Sequence, residues 1–196
     1  MSVTINHQTN DISSTSGSLT IDGSAAGGGA WNLISTTTVT SAVTSVDFTG
    51  LTSYDHYVAV VDNIYMSADN LNLQLQMLNN GVPDTTSYRY EHYYGNQGTW
   101  AFGGSTSGSG ILILEDIGNL ALARGSATIN ISGLNANTAA VVYSTGVTLL
   151  NNTARYGPQI SSGANYGTYV ARDGVRFKAT SGSISGGVFA LYGIAN

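Results

Sequence analysis

Hydrophobic and polar positions alternate along residues 70–94, the stretch around which the rest of the chain is organised. Its first half places apolar side chains at every second position: Leu71, Leu73, Leu75 and Met77. After a turn-forming run at 79–84, its second half sets Tyr88, Tyr90, His92 and Tyr94 against Arg89, Glu91 and Tyr93. Successive side chains of a strand point to opposite faces of a sheet, so the pattern predicts an antiparallel pair of strands with one dry and one wet face.

Short runs rich in β-branched and aromatic residues recur along the rest of the chain, separated by Gly, Ser, Thr and Asn. They occupy residues 31–39, 43–50, 56–65, 111–115, 126–132, 139–145, 175–179 and 187–192. No window combines helical apolar spacing with a capping residue. Eight or more short strands joined by turns are typical of a sandwich or barrel. The sequence therefore predicts an all-β fold, an antiparallel, jelly-roll-like β-sandwich over residues 30–196, with the apolar last run inside a sheet.

The first 29 residues predict a separate N-terminal arm. Two strand-like pieces, 3–6 and 18–22, are followed by a glycine-rich run at 23–29 that is typical of a hinge. Two short strands alone are marginal in water, so we expect the arm to pair with the body, a symmetry mate or a partner protein. A loose terminus is the alternative. The candidate anchoring residues are Val3, Ile5, Leu19 and Ile21.

Composition narrows the possible partners. A chain of 196 residues is long enough for one core. Its charged fraction is 9 % and its net charge is -5. Six basic residues cannot form the dense cationic face that nucleic acids require, so nucleic-acid binding is not expected. The chain has no cysteine and no apolar run near the ~20 residues that span a bilayer, so we expect no disulfide, no membrane insertion, and synthesis in a cytoplasm without a signal peptide.

Motifs for catalysis or metal binding do not stand out. Glu115 and Asp116 are adjacent, and adjacent strand residues point to opposite faces, so they form a poor acid–base pair. The three histidines, His7, His56 and His92, are far apart and lack metal-ligand spacing. The glycine run at 103–110 is not followed by Lys-Ser/Thr, and no serine lies in a G-x-S-x-G elbow. We therefore expect no catalytic site, no metal and no cofactor.

Aromatic side chains are the candidate contact residues. Four lie at ~7 Å intervals on one strand face, and the others fall in two glycine- and asparagine-rich segments, 95–110 and 151–167, that predict loops. The full set is Tyr88, Tyr90, His92, Tyr94, Trp100, Tyr156 and Tyr166. Such rings can stack on the sugars of a glycan, or they can pack across strands in the core or at a subunit seam. For the four on the strand face we favour packing, because sheets generally use tyrosine in this way, whereas the aromatic residues of the two segments suggest an exposed contact surface.

Four runs of the sequence resemble structural proteins of tailed bacteriophages. They are residues 5–13 (INHQTNDIS), 16–23 (SGSLTIDG), 29–35 (GAWNLIS) and 48–57 (FTGLTSYDHY). The families they resemble include tail-fibre domains and small capsid decoration or head-fibre proteins, and the resemblance covers roughly the first third of the chain. It implies a virion component, commonly a homotrimer, that is exposed on the particle.

The expected function follows from this resemblance and from the predicted single domain without a shaft. We expect a non-enzymatic capsid decoration protein, made in the host cytoplasm, whose arm binds the major capsid protein or another virion protein. The first alternative is a tail-fibre domain that attaches to the host by recognising a host-surface glycan. The second alternative is a stand-alone carbohydrate-binding module.

Overall fold

The computed structural model describes residues 3–6, 11–14, 20–21, 24–25, 31–96, 99–120, 123–150, 155–167 and 170–194. Four short strands come first: β1 (Val3–Asn6), β2 (Asp11–Ser14), β3 (Thr20–Ile21) and β4 (Ser24–Ala25). Thirteen more follow: β5 (Trp31–Val39), β6 (Ser45–Thr49), β7 (His56–Met66), β8 (Leu71–Asn79), β9 (Val82–Pro83), β10 (Tyr88–Asn96), β11 (Thr99–Gly108), β12 (Ile111–Ile117), β13 (Gly125–Ser132), β14 (Ala140–Leu150), β15 (Arg155–Asn165), β16 (Gly174–Ala179) and β17 (Ile184–Ile194). The predicted all-β class is confirmed, and in these ranges no helix capable of crossing a membrane occurs.

Eight of the strands form a jelly roll. In the larger sheet the strand order β5-β17-β7-β13 places the first and last strands of the body side by side. The smaller sheet has the order β12-β8-β16-β6. All pairings are antiparallel, and the chain passes back and forth between the two sheets, which is the two-sheet arrangement of a jelly roll. The predicted sandwich is confirmed, and β17 lies inside a sheet as its apolar sequence predicted.

Four further strands lengthen the larger sheet beyond the jelly roll. Strands β14, β15, β10 and β11 continue it outward from β13 and end at β11. In the chain, β10 and β11 are inserted between β8 and β12, whereas β14 and β15 are inserted between β13 and β16. We call these four strands the extension. The predicted aromatic contact residues lie on the extension, except Tyr166, which directly follows β15.

Apolar side chains from both sheets meet in one core. The Phe177 ring of the smaller sheet contacts the Phe48 ring edge to face, with 6.3 Å between centroids. Phe177 also lies 5.6 Å from the ring of Phe189, which belongs to the larger sheet. All three rings are buried in the same cluster. Because burying a side chain of this size contributes about 1.5–3 kcal/mol, these contacts help to hold the two sheets together.

The predicted pairing between the two halves of residues 70–94 is wrong. Strand β8 pairs with β12, with β16 and with the two-residue strand β9, whereas β10 belongs to the other sheet. Asn80 and Gly81 both have positive φ (50° and 76°), which closes a tight hairpin turn. The hairpin ends with a backbone bond from the Asp84 N–H to the Met77 carbonyl at 2.9 Å, just after the Pro83–Leu78 pair. The chain crosses to the larger sheet instead, although the predicted division of each strand into two faces is correct.

A buried arginine holds this crossover in place. The Arg172 side chain is almost fully buried, and its Nε donates to Asp84 Oδ2 at 2.7 Å. Its second amino group donates to Asn165 Oδ1 at 3.0 Å. At the end of the crossover, the Tyr88 hydroxyl accepts the Met77 N–H at 2.7 Å. These bonds tie the segment between β9 and β10 to both sheets.

The two segments predicted as loops are mostly strands. Residues 99–108 form β11 and residues 155–165 form β15, the two neighbours of β10. Glycine is required here because a Cβ on Gly163 would lie 2.7 Å from the Tyr90 Cβ, and a Cβ on Gly104 would lie 2.6 Å from the Tyr90 carbonyl oxygen. The glycines that suggested loops therefore make room for the bulky side chains of β10.

The described parts of the arm pair with one another. Strand β1 pairs with β2, and β3 pairs with β4, each as a two-stranded sheet. Within the described ranges, no arm strand joins either large sheet, so the expected pairing with the body is not observed. Leu19 lies outside the described residues, as do the side chains of Val3, Ile5 and Ile21. Pairing of the arm with a symmetry mate or a partner protein stays a prediction.

Candidate functional site

The aromatic face of β10 points into the sandwich. Tyr88 and His92 are fully buried, as the packing interpretation predicts, and Tyr90 and Tyr94 are half-buried. Burial raises the pKa of Tyr88 to about 12, so its hydroxyl stays protonated. A ring without solvent exposure cannot stack on a sugar from solution. Tyr88 and His92 are therefore structural residues.

His92 lies at the centre of a buried polar cluster. Its Nδ1 is hydrogen-bonded to Ser161 Oγ at 2.5 Å, and its Nε2 lies 3.6 Å from Glu115 Oε2. The Tyr94 ring stacks on the imidazole with 5.8 Å between centroids. Burial lowers the pKa of His92 to about 4. The ring is therefore neutral at pH 7, and its approach to Glu115 is not an ion pair at that pH.

The residue types of this cluster are those of a hydrolytic triad, Ser161, His92 and Glu115. Neither Ser161 nor His92 exposes any surface, so a substrate carbonyl cannot reach the serine hydroxyl. Gln159 instead bonds the backbone of Glu115 through both ends of its amide, accepting at 2.7 Å and donating at 2.9 Å. The cluster thus ties β15 to β12, a role that sequence reasoning missed because it placed Ser161 in a loop.

The opposite face of the extension carries large apolar side chains in solvent. Phe102 is 82 % exposed, Trp100 62 % and Tyr93 43 %. An open groove of about 1060 Å³ crosses this face over strands β11, β10, β15 and the start of β14. We call it the outer groove. Its lining includes Arg89, Glu91, Tyr93, Phe102, Val141 and Ser162.

Strand register explains how the outer groove is built. Phe102 lies directly opposite Tyr93, which also faces Ile160 on the other side. Two residues before Tyr93, Glu91 lies between Gly104 and Ser162, and these small residues leave the floor of the groove open. The Tyr93 and Phe102 rings therefore lie at one end of the outer groove, and the Glu91 carboxylate lies at its shallow middle.

Polar groups surround these rings. The Tyr93 hydroxyl donates to Glu91 Oε2 at 3.0 Å, and this bond raises the pKa of Tyr93. The Arg89 guanidinium lies 4.1 Å from the centre of the Tyr166 ring, and the Tyr166 hydroxyl donates to the Thr106 carbonyl at 2.7 Å. Flat apolar faces beside one acid and one base suit a ligand that has both apolar faces and hydroxyl edges, because each surface then finds a partner.

The structure divides the predicted contact residues between two faces. Trp100 lies opposite Gly95 on the outer face of the sheet, away from the inner aromatic face of β10. Tyr166 lies at the Arg89 end of the outer groove. Tyr156 belongs to β15, and its side chain lies outside the described residues. Phe102 and Tyr93 were missed, although Trp100 and Phe102 already show the period of two that marks an exposed strand face.

Metal binding has no support in the side-chain geometry. Within the ranges that the structure describes, no three His, Asp or Glu side chains converge as a metal site requires.

Comparison with protein-family models, with curated proteins and with solved structures finds no match to this chain.

Proposed function

We propose that this chain is a non-enzymatic structural protein of a bacteriophage virion, a capsid decoration protein exposed on the particle and anchored by its N-terminal arm. Its partners are the major capsid protein or another virion protein and further copies of itself, with a homotrimer as the assembly implied by the sequence resemblance. The protein is made in the host cytoplasm and resides in the virion.

Two features of the body support a structural role. A jelly roll is a recurrent architecture of viral capsid and lectin domains, although a fold alone does not determine function. The buried Ser161 and His92 have no surface through which to act on a substrate, which supports a non-enzymatic role. A rigid sandwich with few charges is suited to repeated contacts on a particle.

The pairing of the arm strands is the main observation in support of the anchoring proposal. Its strands form two small sheets of their own, separate from the two sheets of the body among the described residues. Because isolated two-stranded sheets are only marginally stable, such an arm gains order when it lies on a partner surface. Many copies on one particle, each with such an arm, would bind more tightly than one arm alone.

Deletion of residues 1–29 tests the anchoring proposal. Purified chain is mixed with virions that lack it, and bound protein is measured after sedimentation of the particles. We expect the deletion to abolish binding while the far-ultraviolet circular dichroism of the body keeps its β-sheet signal. The matched control is Phe102→Ala in the full chain, which should bind normally. Unchanged binding of the deleted chain would refute the role of the arm.

A second candidate function is a tail-fibre domain that recognises a host-surface glycan. The outer groove favours it, because Tyr93 and Phe102 present exposed rings beside the Arg89 and Glu91 side chains. Aromatic rings stack on the apolar faces of sugars, while charged side chains and amides bond their hydroxyls. This role needs the outer groove, whereas decoration needs the arm.

Glycan binding and location on the particle distinguish the two candidates. Immuno-electron microscopy of virions is expected to place the chain on the head for decoration and on the tail for a fibre domain. In a glycan array, a fibre domain should lose its signal with Phe102→Ala and keep it with Val147→Ala, an exposed residue on β14 that is not part of the groove lining. A tail location with such a signal would replace the decoration proposal.

A further inference from the structure

The extension ends in β11, the edge strand of the larger sheet. Strand β11 pairs with β10 on one side only, and no strand of the described residues lies along its other side. From Asn96–Thr99 to Tyr90–Ser105 the pairing with β10 has an unbroken register, and the bulge comes only beyond Ser105. Residues 100–105 therefore present a regular row of backbone groups along the open side of β11.

This edge lacks the devices that normally prevent strand addition. Residues 99–105 contain no charged residue and no proline. Their side chains are exposed on both faces, with Phe102 and Trp100 outside and Gly103 inside. A Cβ on Gly103 would meet no atom within 4 Å. A second strand could therefore approach along the edge without meeting like charge or a steric block.

The sequence of β11 is complementary to itself in antiparallel orientation. If residues 99–105 pair with the same residues of a second copy, Phe102 lies opposite its own mate. Trp100 then lies opposite Gly104 of the second copy, and that glycine leaves space for the indole ring. Ala101 lies opposite Gly103 in the same way. Because the larger sheet is antiparallel throughout, such a pair continues its hydrogen-bond pattern.

We propose that β11 binds β11 of a second copy of this chain about a two-fold axis that passes beside Phe102. The two larger sheets then form one continuous sheet, and the Phe102 and Trp100 rings of both copies pack together on its outer face. This contact is isologous, so it closes on itself and does not propagate into a fibre. It stands independently of the decoration role, since the arm is not needed to form it, although it uses Phe102 at one end of the outer groove.

Sedimentation-velocity ultracentrifugation of the full chain tests the proposal. The wild type should sediment as an even number of copies, a dimer or, where a trimer contact also forms, a hexamer. Gly103→Lys should halve that mass or raise the Kd of the two-fold contact by about tenfold or more, because it adds an exposed charge at the edge. Thr36→Lys, at the opposite edge of the same sheet, is the matched control and should leave the mass unchanged.

Single cysteines fix the position of the axis. The natural chain has no cysteine, so Phe102→Cys introduces the only thiol. In the proposed register this residue faces its mate, and mild oxidation should give a disulfide-linked dimer. Ala101→Cys should not link, because its Cα lies more than about 7 Å from that of its mate. An odd-numbered assembly, a mass that Gly103→Lys leaves unchanged, or a disulfide that forms with Ala101→Cys and not with Phe102→Cys would overturn the proposal.

Discussion

The two halves of the larger sheet bury different kinds of side chain. In the jelly-roll half, the inner face is apolar, with residues such as Ile129, Phe189 and Leu191 fully buried. In the extension, the inner face buries polar groups such as His92, Ser144 and Ser161. On the outer face, the extension carries the exposed Trp100 and Phe102 rings. Among the described residues of the larger sheet, the jelly-roll half exposes large apolar side chains on its edge strand β5 (Trp31, Leu33 and Ile34), whereas the extension exposes them on β10, β11 and β14.

This difference indicates that the two regions have different roles: the jelly roll provides stability and the extension provides a contact surface. Stability should depend mainly on the core between the two sheets of the jelly roll, because apolar burial is the dominant favourable contribution to folding. Exposed apolar patches on a soluble protein commonly mark contact surfaces. The extension is therefore expected to tolerate changes on its outer face without loss of folding. Three predictions test this division, from the largest expected effect to the smallest.

Truncating a core ring should cost far more than truncating an outer one. Phe177→Ala removes a fully buried ring that contacts both sheets, so the free energy of unfolding should fall by about 3–5 kcal/mol. Phe102→Ala removes an exposed ring and should change it by less than about 0.5 kcal/mol. Urea denaturation of both variants, followed by circular dichroism, measures the difference. Equal losses would show that the outer face also carries stability.

The polar interior of the extension should make stability depend on pH. Burial lowers the pKa of His92 from 6.5 to about 4, so between these values the unfolded chain binds a proton that the folded chain does not. The free energy of unfolding should therefore fall by up to about 3 kcal/mol as the pH drops from 6.5 to 4. The groups that face this ring are Glu115, Ser161 and Tyr94.

Urea denaturation of the wild type and of His92→Gln at intervals between pH 7 and pH 4 isolates this contribution. All other side chains are the same in the two proteins, so the difference between the two curves reports the histidine. That difference should shrink as the pH falls. Parallel curves across the whole range would contradict the assignment of the acid sensitivity to His92.

The hydroxyl of an inward tyrosine should matter more than that of an outward one. Tyr88→Phe leaves the buried Met77 N–H without the acceptor that lies at 2.7 Å, so it should cost about 1–3 kcal/mol. Tyr93→Phe removes a solvent-exposed bond to Glu91, so its effect on the free energy of unfolding should be much smaller. The thermal unfolding midpoints of the two variants provide the comparison. Similar midpoints would mean that the crossover does not depend on the Tyr88 bond.

The jelly roll was largely predictable from the sequence because it follows the period of two. The alternation from Leu71 to Met77 and the apolar run of β17 both lie in the sheets as expected. The separation of β8 and β10 into different sheets was not predictable, because the Asn80-Gly81 turn is compatible with a long hairpin. The bond between Asp84 and the distant Arg172 helps to decide where the chain leaves the hairpin.

The extension was harder to predict because glycine and serine obscure its strands. Gly104 and Gly163 are typical of loops in sequence, yet their place in β11 and β15 is set by Tyr90 of the neighbouring strand. This long-range reason leaves no local signal. The outer groove was missed for the same reason, since residues of β10 and β11 meet those of β14 and β15 there only after the larger sheet has formed.

The double variant Trp100→Ala/Phe102→Ala most directly tests whether the outer face of the extension serves contact and not stability. Its thermal unfolding midpoint and its sedimentation are measured on the same sample and compared with those of the wild type. We predict an unchanged midpoint together with loss of the self-associated species, because these rings are exposed in the single chain and serve contact with another copy. A lowered midpoint with unchanged association would contradict the account.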